Sequence, residues 1–89
     1  MISSTKSKLR DLFRKRAIAY NQIFPKDSRA AQDVLIDLAK FCRANETTFS
    51  KDPRMSDVLK GRREVWLRIQ TYLNLSVEDI YKLHNIKED

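Results

Sequence analysis

Apolar residues recur at intervals of three and four along the first quarter of the chain, with polar and basic residues between them. This spacing is typical of an amphipathic helix and predicts one from about residue 4 to residue 24. Pro25 ends the helix, because proline disfavours helical geometry in the residue that precedes it. The apolar stripe of this helix consists of Leu9, Leu12, Phe13, Ala17, Tyr20 and Phe24.

A second stripe with the same period predicts a helix over residues 28–44, with either Asp27 or Ser28 as its N-terminal cap. The polar segment 46–52 has no helical period and is predicted to be a loop. Phe49 is the only large apolar residue of that loop, so we expect it to pack into the core. The inward stripe of the second helix is predicted to contain Ala31, Val34, Leu35, Leu38, Phe41 and Cys42.

Asp52 followed by Pro53 is a favoured helix start, since the carboxylate caps the helix and the first helical position needs no backbone donor. A third helix is predicted over residues 53–73. Gly61 in its middle costs about 1 kcal/mol relative to alanine, so we expect another element to approach closely there. Trp66 shares the inward period and is predicted to pack in the core against the second helix. The full stripe contains Met55, Leu59, Val65, Trp66, Ile69, Tyr72 and Leu73.

Ser76, with Asp79 three residues later, resembles a capping box and predicts a short fourth helix over residues 76–84. One glycine and two prolines supply few of the turns that β-folds need. The chain is therefore predicted to be all-α, a small bundle of three main helices plus a short C-terminal helix. Its length suits a single helical domain, residues 1–89.

The residue types needed for common active sites are scarce. Cys42 and His84 are the only cysteine and the only histidine. Structural zinc needs about four ligands in closely spaced pairs, and His84 has no nucleophile and carboxylate at the spacing of a triad. A single glycine cannot form a phosphate-binding loop. We therefore expect no catalytic residue, no metal and no cofactor, and a protein that is not an enzyme.

No apolar run approaches the roughly 18 to 20 residues that span a bilayer, and the N-terminus lacks the pattern of a signal peptide. The sequence thus predicts a soluble, unprocessed protein without a membrane partner. A core this small leaves a stability of only a few kcal/mol, so self-association as a homo-oligomer stays open.

The excess positive charge lies at one end of the chain. Residues 1–26 hold seven basic residues and one acidic residue, whereas residues 27–89 hold eleven of each. The basic face of the first helix can be a solvated surface, a contact for the nucleic-acid backbone, or a contact for an acidic protein or lipid surface. Its candidate partner-binding residues are Lys6, Lys8, Arg10, Arg14, Lys15 and Arg16.

Arg62 and Arg63 form a second candidate site. They point in different directions on a helix, so at least one is expected to form an ion pair with an aspartate or a glutamate of a neighbouring element. The alternative is that one of them projects outward to bind a phosphate or an acidic partner. The candidate ion-pair partners are Asp33, Asp37, Asp52 and Asp57.

Several blocks between residues 37 and 75 carry a family resemblance. They are Asp37-Leu38-Ala39-Lys40-Phe41-Cys42, Thr47-Thr48-Phe49, Asp52-Pro53-Arg54, Gly61-Arg62-Arg63-Glu64-Val65-Trp66-Leu67-Arg68-Ile69 and Leu73-Asn74-Leu75. In these blocks the chain resembles the Bordetella-phage-protein-nineteen-like domain, a family of small tailed-bacteriophage proteins whose genes tend to lie among head and portal genes. The resemblance covers about half the chain and does not extend to the basic first helix.

The resemblance implies a phage origin and a small helical module, and it names no catalytic residue. We therefore expect a phage-encoded, non-enzymatic binding protein, located in the virion or in the host cytoplasm, where it acts on a host or phage protein assembly. The alternative is a protein that binds nucleic acid without sequence preference through its basic helix. A helix-turn-helix is not expected, because the loop between the second and third helices is too long.

Overall fold

The computed structural model describes the backbone of residues 2–88 and the side chains of residues 7–83. It contains the helices α1 (Ile2–Ile23), α2 (Arg29–Phe41), α3 (Pro53–Asn74) and α4 (Val77–Glu88). No residue between 2 and 88 lies in a β-strand. The predicted all-α fold is confirmed.

Local hydrogen bonds fix where α2 and α3 begin. The side chain of Ser28 accepts a hydrogen bond from the backbone N–H of Ala31 at 3.1 Å, so Ser28 rather than its neighbour caps α2. Asp52 Oδ1 accepts one from the backbone N–H of Arg54 at 3.0 Å, with Pro53 at the first helical position of α3. Both caps satisfy backbone donors that the first helical turn leaves without partners.

The end of α2 differs from the prediction, because the helix stops at Phe41 and not near Ala44. The backbone N–H of Ala44 donates to the carbonyl of Ala39 at 2.9 Å, and that of Arg43 donates to Lys40 at 3.2 Å. Arg43 itself has a φ of 54°. These are the features of a Schellman motif, which turns the chain away from the helix axis. The periodic sequence did not reveal it, since glycine is the residue that usually occupies this position.

The main core lies where α1, the C-terminal half of α3 and α4 meet. Phe13, Tyr72 and Ile80 supply one fully buried side chain from each of these helices. The rings of Tyr20 and Tyr72 stack with their centroids 4.9 Å apart. The helix α4 is therefore part of the core and not a terminal appendage. The half-buried apolar residues around the core are Ala17, Tyr20, Val77 and Tyr81.

A second, smaller group of buried side chains lies apart from the main core. Its members are Ala31 of α2, Cys42 at the C-terminal cap of α2, and Leu59 of α3.

Several predictions about which side chains are buried are wrong. Trp66 is only half-buried, and Phe41, predicted to be inward, is 57% exposed. Phe49 is 73% exposed instead of packed into the core. No atom lies within 4 Å of the position of a Cβ on Gly61, so the expected close approach is absent from the described part of the chain. Other stripe residues that are exposed are Leu9, Leu12, Val34, Met55 and Val65.

These exposed side chains reflect a flat shape. The Cα atoms span 50 × 36 × 14 Å and their radius of gyration is 15.7 Å, compared with about 12 Å for a compact domain of this length. The accessible surface is 7012 Å², whereas a folded monomer of this mass exposes about 5,400 Å². The helices thus leave part of their apolar stripes uncovered.

Candidate partner-binding surfaces

Arg10 of the basic helix makes contacts within the fold. Its Nε lies 2.8 Å from Glu78 Oε1, and its Nη2 donates a hydrogen bond to Oε2 at 3.4 Å. The guanidinium also lies 4.9 Å from the centroid of the Tyr81 ring. Since both partners belong to α4, Arg10 holds α1 against α4. Its charge is neutralised within the fold, contrary to the predicted role as a free cation of the basic face.

Two further arginines of α1 also have partners. Arg16 is half-buried, and its Nη1 donates a hydrogen bond to the Tyr72 hydroxyl at 3.2 Å, which links α1 to α3. Arg14 is exposed and pairs with Asp11, one turn away on the same helix, at 2.8 Å. An exposed pair of this kind leaves the arginine accessible, and the neighbouring carboxylate offsets its positive charge locally.

Lys8 and Lys15 of α1 are exposed, and neither forms a salt bridge with any side chain between residues 7 and 83. They line a shallow depression of about 460 Å³ together with Leu12 and Ile18. The side chain of Lys6 lies outside the described residues. Among the side chains that the structure describes, the predicted basic face therefore retains two lysines without an ion pair, next to the Arg14–Asp11 pair and to the apolar side chains of Leu12 and Ile18.

Arg62 and Arg63 are both half-buried, and neither forms a salt bridge with a described carboxylate. The predicted pairing with Asp33, Asp37, Asp52 or Asp57 is wrong. The Arg62 guanidinium lies 4.3 Å from the centroid of the Phe41 ring, a cation–π contact. Arg63 Nη2 donates a hydrogen bond to the carbonyl of Ala44 at 3.0 Å. Both arginines thus hold the end of α2 and the following turn against α3.

The segment 46–52, called here the Phe49 loop, is ordered by hydrogen bonds. The backbone N–H of Ser50 donates to Ser56 Oγ at 2.7 Å, and that hydroxyl donates back to the Ser50 carbonyl at 3.1 Å. The backbone N–H of Phe49 donates to Thr47 Oγ1 at 3.1 Å. Phe49 is therefore held in a defined place although its ring is largely in solvent. The sequence singled out Phe49 as the large apolar residue of this loop, and it was predicted to lie in the core. A single aromatic residue among polar ones is compatible with a buried or an exposed position.

A groove of about 530 Å³ lies along α3. Gly61 and Val65 are among the α3 residues that line it, and Leu83 lines it from α4. Arg68 also lines the groove, with its guanidinium 5.6 Å from the centroid of the Tyr72 ring. The sequence indicated a close approach at Gly61 but not an open groove beside it.

The cysteine and the histidine, two residue types common in active sites, occur once each in the chain, as Cys42 and His84. Cys42 is buried, and the side chain of His84 lies outside the described residues. Among the described side chains, no three histidine, cysteine or acidic residues come together as metal ligands would. None of the helices, as far as they are described, combines the length and apolarity that crossing a bilayer requires.

The structure is that of a small, flat, all-α protein with many exposed apolar side chains. A family model described as Bbp19-like phage protein matches residues 9–85. The chain belongs to this family and is a phage protein. The match confirms the resemblance seen in the sequence and extends it, since it takes in most of α1, which the resemblance had left out. Comparisons with curated proteins and with solved structures found no match.

Proposed function

We propose that the chain is a non-enzymatic binding protein of the phage that docks onto a protein partner through the Phe49 loop. The observation that carries this proposal is the placement of Phe49, which is 73% exposed on a loop fixed by hydrogen bonds. The partner is a phage structural protein or a host protein, and the chain acts in the virion or in the host cytoplasm.

Preorganisation of the Phe49 loop supports this proposal. Binding energy in protein interfaces is concentrated in a few anchors, often aromatic, that fill a pocket of the partner. Ordering a flexible loop on binding lowers the affinity, and a loop that is already fixed avoids this loss. The hydrogen bonds between Ser50 and Ser56 provide this order before any partner arrives. Phe41 and Met55, which are also exposed, flank the Phe49 loop in sequence and extend its apolar character.

Affinity capture from phage-infected cells tests the proposal, with nuclease-treated and untreated lysates compared. The tagged chain is expected to retain a specific protein after nuclease treatment. Phe49→Ser should lose that protein, because the anchoring ring is gone. Lys51→Ser is the matched control, since Lys51 is an exposed residue of the same loop, and it should retain the protein.

Stability measurements exclude an indirect effect. Because Phe49 is largely exposed, Phe49→Ser should change the free energy of unfolding by no more than about 0.5 kcal/mol. Equal capture by the parent and by Phe49→Ser would refute docking through this loop. A mass-spectrometric inventory of purified particles then separates a virion component from a protein that acts only in the infected cell.

A nucleic-acid role remains the second candidate, favoured by Lys8 and Lys15, which are exposed and form no salt bridge with a described carboxylate. Their position on one helix would allow both to approach one phosphate backbone. With Arg10 and Arg16 engaged inside the fold, the available charge is smaller than the sequence suggested. This weighs in favour of the protein partner.

A further inference from the structure

Gly61 lies in the middle of the 22-residue helix α3. Glycine there costs about 1 kcal/mol relative to alanine, and within the described chain nothing approaches closely enough to require it. A helical glycine with open space beside it permits the backbone of another helix to come near. The space at Gly61 belongs to the open groove of α3, so such a helix would come from outside the chain.

The charges beside Gly61 alternate along the same side of α3. Asp57, Gly61, Glu64 and Arg68 follow one another at intervals of four, three and four, which places them in one stripe. Lys60 lies at the edge of this stripe. The four charged residues are all exposed, and none forms a salt bridge with a described side chain. Read along the helix, the stripe is acidic, basic, acidic, basic.

We propose that α3 pairs with α3 of a second copy of this chain, antiparallel, about a two-fold axis near residue 62. In this register Asp57 lies opposite Arg68 of the second copy, and Lys60 lies opposite its Glu64. The two-fold axis repeats each pair, which gives four oppositely charged contacts. Gly61 lies opposite Glu64 of the second copy and leaves room for the close approach.

The antiparallel direction follows from the charge order. A parallel pairing in register would place each charged residue against its own counterpart, and like charges across an interface are unfavourable. Reversing one helix turns every one of these like pairs into an opposite pair. The charges of the stripe are thus complementary to those of a second copy when the two helices run antiparallel. An isologous dimer interface requires a surface that is complementary to itself in this way.

The available area is sufficient. Summed over its whole surface, the chain exposes about 1,600 Å² more than a compact monomer of its mass, which is larger than the roughly 800 Å² per partner that a standard stable interface buries. Three apolar residues next to the stripe are roughly half exposed and would be covered by the second copy. They are Val58, Val65 and Leu67.

Sedimentation equilibrium of the full-length chain tests the pairing. The mass is expected to rise with concentration from 10.5 kDa towards about twice that value. Asp57→Lys should raise the dimer dissociation constant by about tenfold or more, because two opposite pairs become like pairs. Arg68→Glu should have a similar effect. The double variant Asp57→Lys/Arg68→Glu should restore dimerisation, since the pairs are again opposite in charge.

Two further variants separate the interface from a general effect. Asp37→Lys reverses an exposed charge on α2 and should leave the dissociation constant unchanged. Gly61→Leu should weaken the dimer while the monomer stays folded, because no described atom lies within 4 Å of a Cβ at this position.

A mass that stays at 10.5 kDa at the highest soluble concentration would overturn the inference. A dimer that is indifferent to the charge of residues 57 and 68, or a double variant no better than the single ones, would overturn it as well. The inference is independent of the Phe49 loop, so Phe49→Ser should dimerise as the parent does. Either proposal can therefore fail without the other.

Discussion

Tyr72 is the residue whose replacement separates packing from hydrogen bonding in this fold. It is 1% exposed, its ring stacks on Tyr20, and its hydroxyl accepts the hydrogen bond from Arg16. Tyr72→Ala removes all of these and should cost about 3 to 5 kcal/mol, the usual penalty for truncating a large buried aromatic. Tyr72→Phe removes only the hydroxyl and should cost about 0.5 to 1.5 kcal/mol.

The size of the domain makes this difference easy to measure. A chain of this length has a total stability of about 4 to 13 kcal/mol, so Tyr72→Ala removes much of it and Tyr72→Phe leaves most. Urea unfolding followed by far-UV circular dichroism gives both values, with an unchanged m-value as the sign of an unchanged native state. A loss below about 1 kcal/mol for Tyr72→Ala would place the core elsewhere. Equal losses for the two variants would show that the hydroxyl, and not the ring, dominates.

Two further predictions concern the start of α3 and the lysines of α1. Asp52→Ala should lower the free energy of unfolding by about 1 kcal/mol, because the backbone N–H of Arg54 loses its acceptor; an unchanged urea midpoint would contradict this. If α1 binds duplex DNA, the reversal Lys8→Glu/Lys15→Glu should flatten the dependence of log affinity on log salt by about two. Lys40→Glu, on α2, is the control, and a parent that does not bind at about 50 mM salt would remove the nucleic-acid candidate.

The helix starts were predictable because their causes are local. Ser28, Asp52 and Pro53 act within a few residues of their own position in the sequence, and the structure shows both caps. The end of α2 was not predictable, since Arg43 adopts a left-handed conformation that its residue type does not signal.

Which faces are buried could not be read from periodicity. On α3 the buried residues Leu59 and Tyr72 are thirteen positions apart, which places them about 140° apart around the helix. The helix therefore buries two different faces along its length, whereas a single stripe was assumed. Val65 lies on nearly the same face as Tyr72, about two turns earlier, and is exposed there.

The candidate site was only partly predictable for a related reason. The cations of α1 are evident in the sequence, but Arg10 is neutralised by Glu78, which is 68 positions away. Contacts at such separations depend on how the helices pack and leave no local signal. The exposure of Phe49 also depends on how the helices pack. The Phe49 loop lies outside the core cluster of α1, α3 and α4 and outside the buried group of α2 and α3, and no local sequence signal gives that position.

The position of Cys42 has a consequence for how the molecule opens. It is the only thiol of the chain, and it is buried at the end of α2, apart from the cluster of Phe13, Tyr72 and Ile80. Proteins open in separate cooperative units, each with its own free energy. A thiol reagent would reach Cys42 once α2 detaches, while α1, α4 and the C-terminal half of α3 stay together. The rate of its modification in native buffer therefore measures the detachment of α2 alone, at a site already present in the natural sequence.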